Sequence, residues 1–153
     1  MTQIRFYHLT RKTLEQALPE LLEKTLERGS KAVVMTGSPE RAEALTQMLW
    51  TYSPNGFLPH GNAKDGYAEL QPVWLTAEDE RPNNADILFL TDGATSNRLH
   101  EYARVCDIFD GSNDQAVAAA RIRFSEAKNA GHALSYWQQT EKGWIDATPN
   151  KEQ

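Results

Sequence analysis

The chain has 153 residues, 40% of them hydrophobic and 24% charged, which suits a single folded domain with a real core. Sixteen Lys and Arg against 21 Asp and Glu give a formal charge of −5, which argues against broad nucleic-acid binding driven by phosphate neutralisation. One cysteine, Cys106, excludes an internal disulfide and any zinc site built from several thiolates, and no apolar run approaches the ~20 residues that cross a bilayer.

The opening Met-Thr-Gln-Ile-Arg-Phe-Tyr lacks the apolar centre of a secretory leader, so a reduced, cytosolic setting is expected. Residues 3–9 read as a strand from their aromatic and alternating character. Leu14, Leu18, Leu21, Leu22 and Leu26 step by three and four, which predicts a helix over 13–28 capped by Thr10 or Thr13 and stopped at Gly29. Pro19 inside it costs a hydrogen bond and kinks or delays the helix. The short apolar run 31–36 predicts a strand buried on both faces. Ser38-Pro39 is helix-opening chemistry, and a helix to about Trp50 follows with Ala42, Leu45, Met48 and Leu49 inward.

Residues 51–68 form a long segment rich in Pro, Asn and Gly, of the kind that carries function. Residues 69–75 predict an edge strand, because Pro72 cannot donate to a ladder. Residues 86–90 predict a buried strand, 95–102 a short helix and 103–109 another strand. Turn residues 110–113 lead into an alanine-rich helix over 113–129, capped by Asn113 and closed by Asn129 or Gly131. Residues 132–139 predict the last strand, with Ala133, Ser135 and Trp137 on one face, and Trp144 closes the ordered part. Alternating strands and helices predict an α/β fold: three-layer, Rossmann-like, a mostly parallel central sheet with helices on both faces. One domain over 1–146 and a polar tail over 147–153 are expected.

That fold class directs attention to phosphate loops and catalytic groups. There is no G-x-x-x-x-G-K-[ST], and the first strand is followed by His8-Leu9-Thr10-Arg11-Lys12 rather than a glycine-rich turn. Thr36-Gly37-Ser38 offers one glycine at a helix start, which reads as an ordinary capped turn. Cys106 lies in an apolar strand and reads as packing material. His8, His60, His100 and His132 are scattered, without metal-ligand spacing. Asp86, Asp92, Asp107 and Asp110 lie near strand ends and read as turn and solubility residues. No catalytic residue, metal or cofactor is assigned.

Two surfaces stand out instead. At ~100° per residue, Val117, Arg121, Phe124 and Lys128 fall within about 60° of arc on the last helix, while Ala118 and Ile122 lie elsewhere and can serve the core. One ring, one aliphatic group and two cations suit a ligand with an apolar group and a negative charge, since Arg grips a carboxylate with two parallel hydrogen bonds. The same stripe also reads as a core aromatic flanked by cations that extend to water. The second surface is 49–61, where Trp50, Tyr52 and Phe57 crowd a helix end and a loop; it reads as an interface anchor or as a loop folded over the core.

Several short motifs, in order, are shared with one family: Phe6-Tyr7-His8-Leu9, Ala44-Leu45 with Leu49-Trp50, Phe57-Leu58-Pro59-His60, Pro72-Val73, Asp86-Ile87-Leu88, Phe109-Asp110, Ala120-Arg121-x-Arg123-Phe124, Gly131-His132-x-Leu134-x-Tyr136-Trp137 and Gly143-Trp144. On these residues the chain resembles the chi subunit of bacterial DNA polymerase III holoenzyme. The resemblance implies a Rossmann-like accessory subunit of DNA replication with no catalytic centre of its own, cytoplasmic and nucleoid-associated at replication forks. It implies two partners: the acidic C-terminal tail of single-stranded DNA-binding protein, and the psi subunit that leads to the clamp loader. Contact with nucleic acid is then indirect.

By position, Arg121 would pair with the tail carboxylate and Phe124 would line a pocket for the tail's phenylalanine. Val117 stands where the family has a cation, a charge that Lys128 or Arg123 could supply. Trp50 and Phe57 match the psi-facing aromatics, and Ser53 stands where proline is common, with Pro54 beside it. Two rival readings are a small nucleotide- or phosphate-binding enzyme using the helix starts at Ser38 and Asn113, and a direct single-strand binder stacking bases on Trp50, Tyr52 and Phe57.

Overall fold

A computed structural model describes residues 2–52 and 58–148. The chain runs β1 (Gln3–Leu9), α1 (Leu14–Glu27), β2 (Ala32–Met35), α2 (Pro39–Thr51), β3 (Val73–Thr76), β4 (Ile87–Leu90), β5 (Arg104–Asp110), α3 (Asp114–Asn129), β6 (Ala133–Thr140) and β7 (Gly143–Asp146). The strands form one sheet in the order β3-β2-β4-β5-β1-β6-β7, parallel throughout except for the final β6–β7 hairpin. The expected mixed α/β fold with a mostly parallel sheet is therefore present.

Local chemistry sets the element ends. Thr13 opens α1 through a capping box with Gln16, and the helix continues through the buried Pro19. Ser38 Oγ accepts from the Arg41 amide to open α2 (3.2 Å), and Asn113 Oδ1 accepts from the Gln115 and Ala116 amides to open α3 (3.0 and 3.1 Å).

Packing then divides the molecule into layers. One face of the sheet presents Tyr7, Leu9, Val34, Leu75 and Phe89 to Leu18 and Leu22 of α1 and Leu45 and Leu49 of α2. The opposite face presents Ile4, Phe6, Val33, Leu88, Val105 and Phe109, covered by Ala120, with Val117 and Phe124 of α3 packed alongside. Cys106 is sealed in the first of these cores, and burial pushes its thiol up to about 12, so it stays protonated.

The structure corrects several sequence expectations. The strand expected over 69–75 begins at Val73, after a 3₁₀ turn at Ala68–Leu70. It is an edge strand, as Pro72 implied, and Gly61 pairs along its outer side: its amide donates to Val73 O (3.0 Å) and its carbonyl accepts from Leu75 N (2.9 Å). The helix expected over 95–102 is only a 3₁₀ turn, Leu99–Glu101. The strand at 132–139 is not the last, because Thr140 and Gly143 close a hairpin and Trp144 sits in β7, edge-on to Tyr7 at 4.9 Å. The expected tail is tied down at its start, where Ala147 N donates to Tyr136 O (2.7 Å) and Tyr136 N to Thr148 Oγ1 (3.0 Å); residues 149–153 lie outside the described ones.

Candidate functional site

The largest correction falls on α3. Ile122 is 61% exposed and Ala118 is exposed too, so neither serves the core. The side turned to the sheet carries Val117, Ala120, Phe124 and Ala127. Arg123 also turns inward: its Nε and Nη2 donate to the two carboxylate oxygens of Asp107 at 2.7 and 3.0 Å, with both side chains largely buried. Burial pushes the Asp107 carboxyl up and the Arg123 guanidinium pulls it back. Arg123 is therefore committed to holding α3 on β5, which leaves Lys128 as the other cation on the stripe.

Phe124 is half-buried at the edge of an aromatic cluster. Its ring meets Phe6 edge-on at 5.2 Å and Tyr136 at 6.1 Å. Tyr136 in turn lies 5.8 Å from His8 and 6.0 Å from Phe109, and its hydroxyl is 2.6 Å from His8 Nδ1. The parallel β1–β6 register puts Phe6 opposite Tyr136, which is why these rings share one face. Gly111 permits the arrangement: a Cβ there would sit 2.1 Å from the His8 ring and 2.4 Å from Leu9 O.

Arg121 is exposed beside this cluster, near enough to oppose protonation of His8 and to favour ionisation of Tyr136. His8 is held below the usual histidine range, first by burial and further by Arg121, so its ring is neutral at neutral pH. Among the described residues neither Arg121 nor Lys128 has an ion-pair partner, whereas Arg11, Lys12, Arg41 and Arg123 each have one. The structure thus brings Val117, Arg121, Phe124 and Lys128 to one side of α3: a half-buried ring and aliphatic group flanked by two uncommitted cations. Sequence reading missed His8, Phe109 and Tyr136 as members, because three strands supply them and only the β1–β5–β6 pairing brings them together.

At the α2 end, Trp50 is 47% exposed and lies 4.1 Å from the His60 ring. His60 is buried, with Nδ1 2.6 Å from Leu58 O and Nε2 2.9 Å from Thr46 O, so it forms a fixed floor under the indole. Tyr52 turns the other way and donates to Glu23 of α1, a bond that pushes its phenol up to about 12. Ser53 and Phe57, expected beside Trp50, lie outside the described residues.

The cleft where β1 and β5 send the chain to opposite sides is the usual ligand position in open α/β sheets. Here it is an open space of about 720 Å³. The amides of Thr10, Arg11 and Lys12, the nest that could cradle a phosphate, all donate to one acceptor, Gln139 Oε1, at 3.0, 3.0 and 3.1 Å. Arg41 on the opposite wall is taken by Asp92 (3.1 Å) and Glu15 (3.4 Å). The helix starts at Ser38 and Asn113 are occupied by their own caps. These donors are satisfied from within the chain.

The family model for the DNA polymerase III chi subunit, HolC, matches residues 1–135. The chain is 35% identical over 108 residues to the probable DNA polymerase III subunit chi of Rickettsia prowazekii, covering 69% of this chain and 66% of that protein, just under two thirds of its length. It is 25% identical over 137 residues to the DNA polymerase III subunit chi of Haemophilus influenzae, covering 86% and 93%. A family match over most of the chain, on a mostly parallel α/β sheet, places this protein in the DNA polymerase III chi subunit family of replication accessory subunits.

Proposed function

We propose that this protein is a non-catalytic adaptor that tethers the replication machinery to single-stranded DNA-binding protein. The tail of that protein, acidic and ending in phenylalanine with a free carboxylate, lies along α3. Its terminal ring meets Phe124 and Val117, and its carboxylate takes hydrogen bonds from Arg121. Lys128 attracts the acidic residues that precede the end of the tail. The observation that carries this reading is the pairing of an uncommitted Arg121 with the half-buried Phe124 on one side of α3.

A second surface, centred on Trp50, takes the psi subunit and through it the clamp loader. The support is an indole almost half exposed on a fixed imidazole floor, the residue type that anchors interfaces. Joining a flexible tail to a multi-subunit assembly raises the local concentration of that assembly at coated single strands. The nucleotide-enzyme reading lacks comparable support, because the amides and cations of the cleft are already engaged.

Isothermal calorimetry with a tail peptide tests the first surface. Arg121→Ala is expected to weaken binding by about 1.5–3 kcal/mol, the range for a hydrogen bond to a charged group. Unchanged affinity removes the assignment. Trp50→Ala is expected to abolish co-purification with psi while sparing the tail peptide; normal co-purification contradicts the second surface.

A further inference from the structure

On the α1 side of the sheet lies a cavity of about 150 Å³. One wall carries Lys24 of α1 and Arg28 at its C-terminal cap, the floor carries Arg5 of β1 and Arg104 of β5, and the far wall is Trp137 of β6 and Trp144 of β7. No acidic side chain lines it. Four cations gathered without a carboxylate stand out in a chain whose net charge is −5.

None of the four forms an ion pair among the described residues. Glu20, one turn before Lys24, is held by Lys12 at 2.8 Å. Asp146, across the hairpin from Trp137, accepts from the Thr148 amide at 3.0 Å. Arg5 packs against a π face, its guanidinium carbon 5.7 Å from the Trp137 ring centre, and also hydrogen-bonds the Tyr7 side chain, while Arg104 Nε donates to Gln3 Oε1 at 3.3 Å. The buried Arg5 Nε has no hydrogen-bond partner, which is unusual for a buried donor. These observations are independent of the stripe on α3, which lies on the opposite face of the sheet.

The slot has one cationic wall and one aromatic wall. A ligand that fits must carry a flat ring and an anionic group within a short distance. A nucleotide does so within one residue, whereas a peptide must bring an aromatic and a carboxylate from separate residues and order both. At about 150 Å³ the slot suits a single ring, with the phosphates outside along the helix. Lys24 and Arg28, both exposed and about 6 Å apart along the axis, form a ridge that can follow a phosphodiester backbone. We infer that Arg5, Lys24, Arg28 and Arg104, with Trp137 and Trp144, form a binding site for a single DNA strand, with one base against the indoles and the flanking phosphates on α1. Recognition of this kind tolerates any base, since every base has a π face.

The test uses the full chain and an oligothymidylate of about 15 nucleotides, within the site sizes of single-strand binders, titrated at low salt while tryptophan emission is followed. Quenching that weakens with salt is expected. The Lys24→Ala/Arg28→Ala double variant, altered only at exposed positions, is expected to bind about tenfold more weakly. It should also lower the slope of log affinity against log salt by about 1.4, since each lost phosphate contact removes about 0.7. Arg121→Ala should bind the oligonucleotide like the unaltered protein, which keeps this site distinct from the tail surface. Thymidine monophosphate at matched phosphate concentration should bind far more weakly; equal binding makes this a free-nucleotide site and overturns the inference. So does the absence of quenching at low salt, or a double variant that binds as well as the original. Displacement of the oligonucleotide by an acidic aromatic peptide of equal affinity assigns the slot to a protein partner and likewise overturns it.

Discussion

The stripe on α3 and the cleft at the ends of β1 and β5 sit close together, share α3 as a wall and are both rich in cations. In the cleft, Arg41 is bound by Asp92 and Glu15, Lys12 by Glu20 and Arg11 by Glu141, and three successive amides converge on Gln139. On the stripe, Arg121 and Lys128 have no such partners among the described residues, and the half-buried Phe124 lies beside them. The cleft has the volume and the customary position for a ligand, yet these amides and cations are spent internally. The stripe keeps its charge and ring available. We place the partner on the stripe for this reason: groups already satisfied within the chain gain little from a partner, and unspent ones gain more.

The boundary between the two regions is Arg123, and removing it is expected to have the largest effect. Arg123→Met leaves the buried Asp107 carboxylate without its partner and should cost about 3–5 kcal/mol in urea unfolding. A loss below about 1 kcal/mol would mean that Arg123 is as uncommitted as Arg121, and the comparison would fail. Arg121→Ala sharpens the other side: its loss of tail affinity, described above, should come with a stability change within about 0.5 kcal/mol, as for an exposed residue. Lys128→Ala should cost the tail about 0.2–1 kcal/mol, and that cost should vanish at high salt because an exposed charge is screened.

The smallest expected effect is the titration of His8 beneath the stripe. Its folded-state pKa lies below the unfolded value of about 6.5. As pH falls below that value the unfolded chain takes up a proton that the folded chain refuses. The associated stability is fully present above pH ~6.5 and is lost as pH drops through the folded-state value. A His8→Gln variant should show a flatter dependence of its urea midpoint on pH across this window than the original protein. Parallel curves would mean that His8 is not shielded.

The elements were legible in the sequence where local chemistry defines them. Ser38-Pro39 and Asn113 opened their helices, the apolar runs at 32–35 and 87–90 became buried strands, and Pro72 marked an edge. The arc of Val117, Arg121, Phe124 and Lys128 was also fixed by the sequence, since helical periodicity alone sets relative angles. What periodicity left open was the absolute rotation of α3. An alanine-rich helix has a weak apolar face, so Ile122 was a reasonable core residue until Asp107 and Phe6, from β5 and β1, claimed Arg123 and Phe124. Pairing between distant strands made the remaining choices: Tyr136 beside His8, Gln139 in the amide nest, and Trp137 over Arg5. Each joins residues more than 120 positions apart, a separation at which local propensity is silent and only the register of a folded sheet decides.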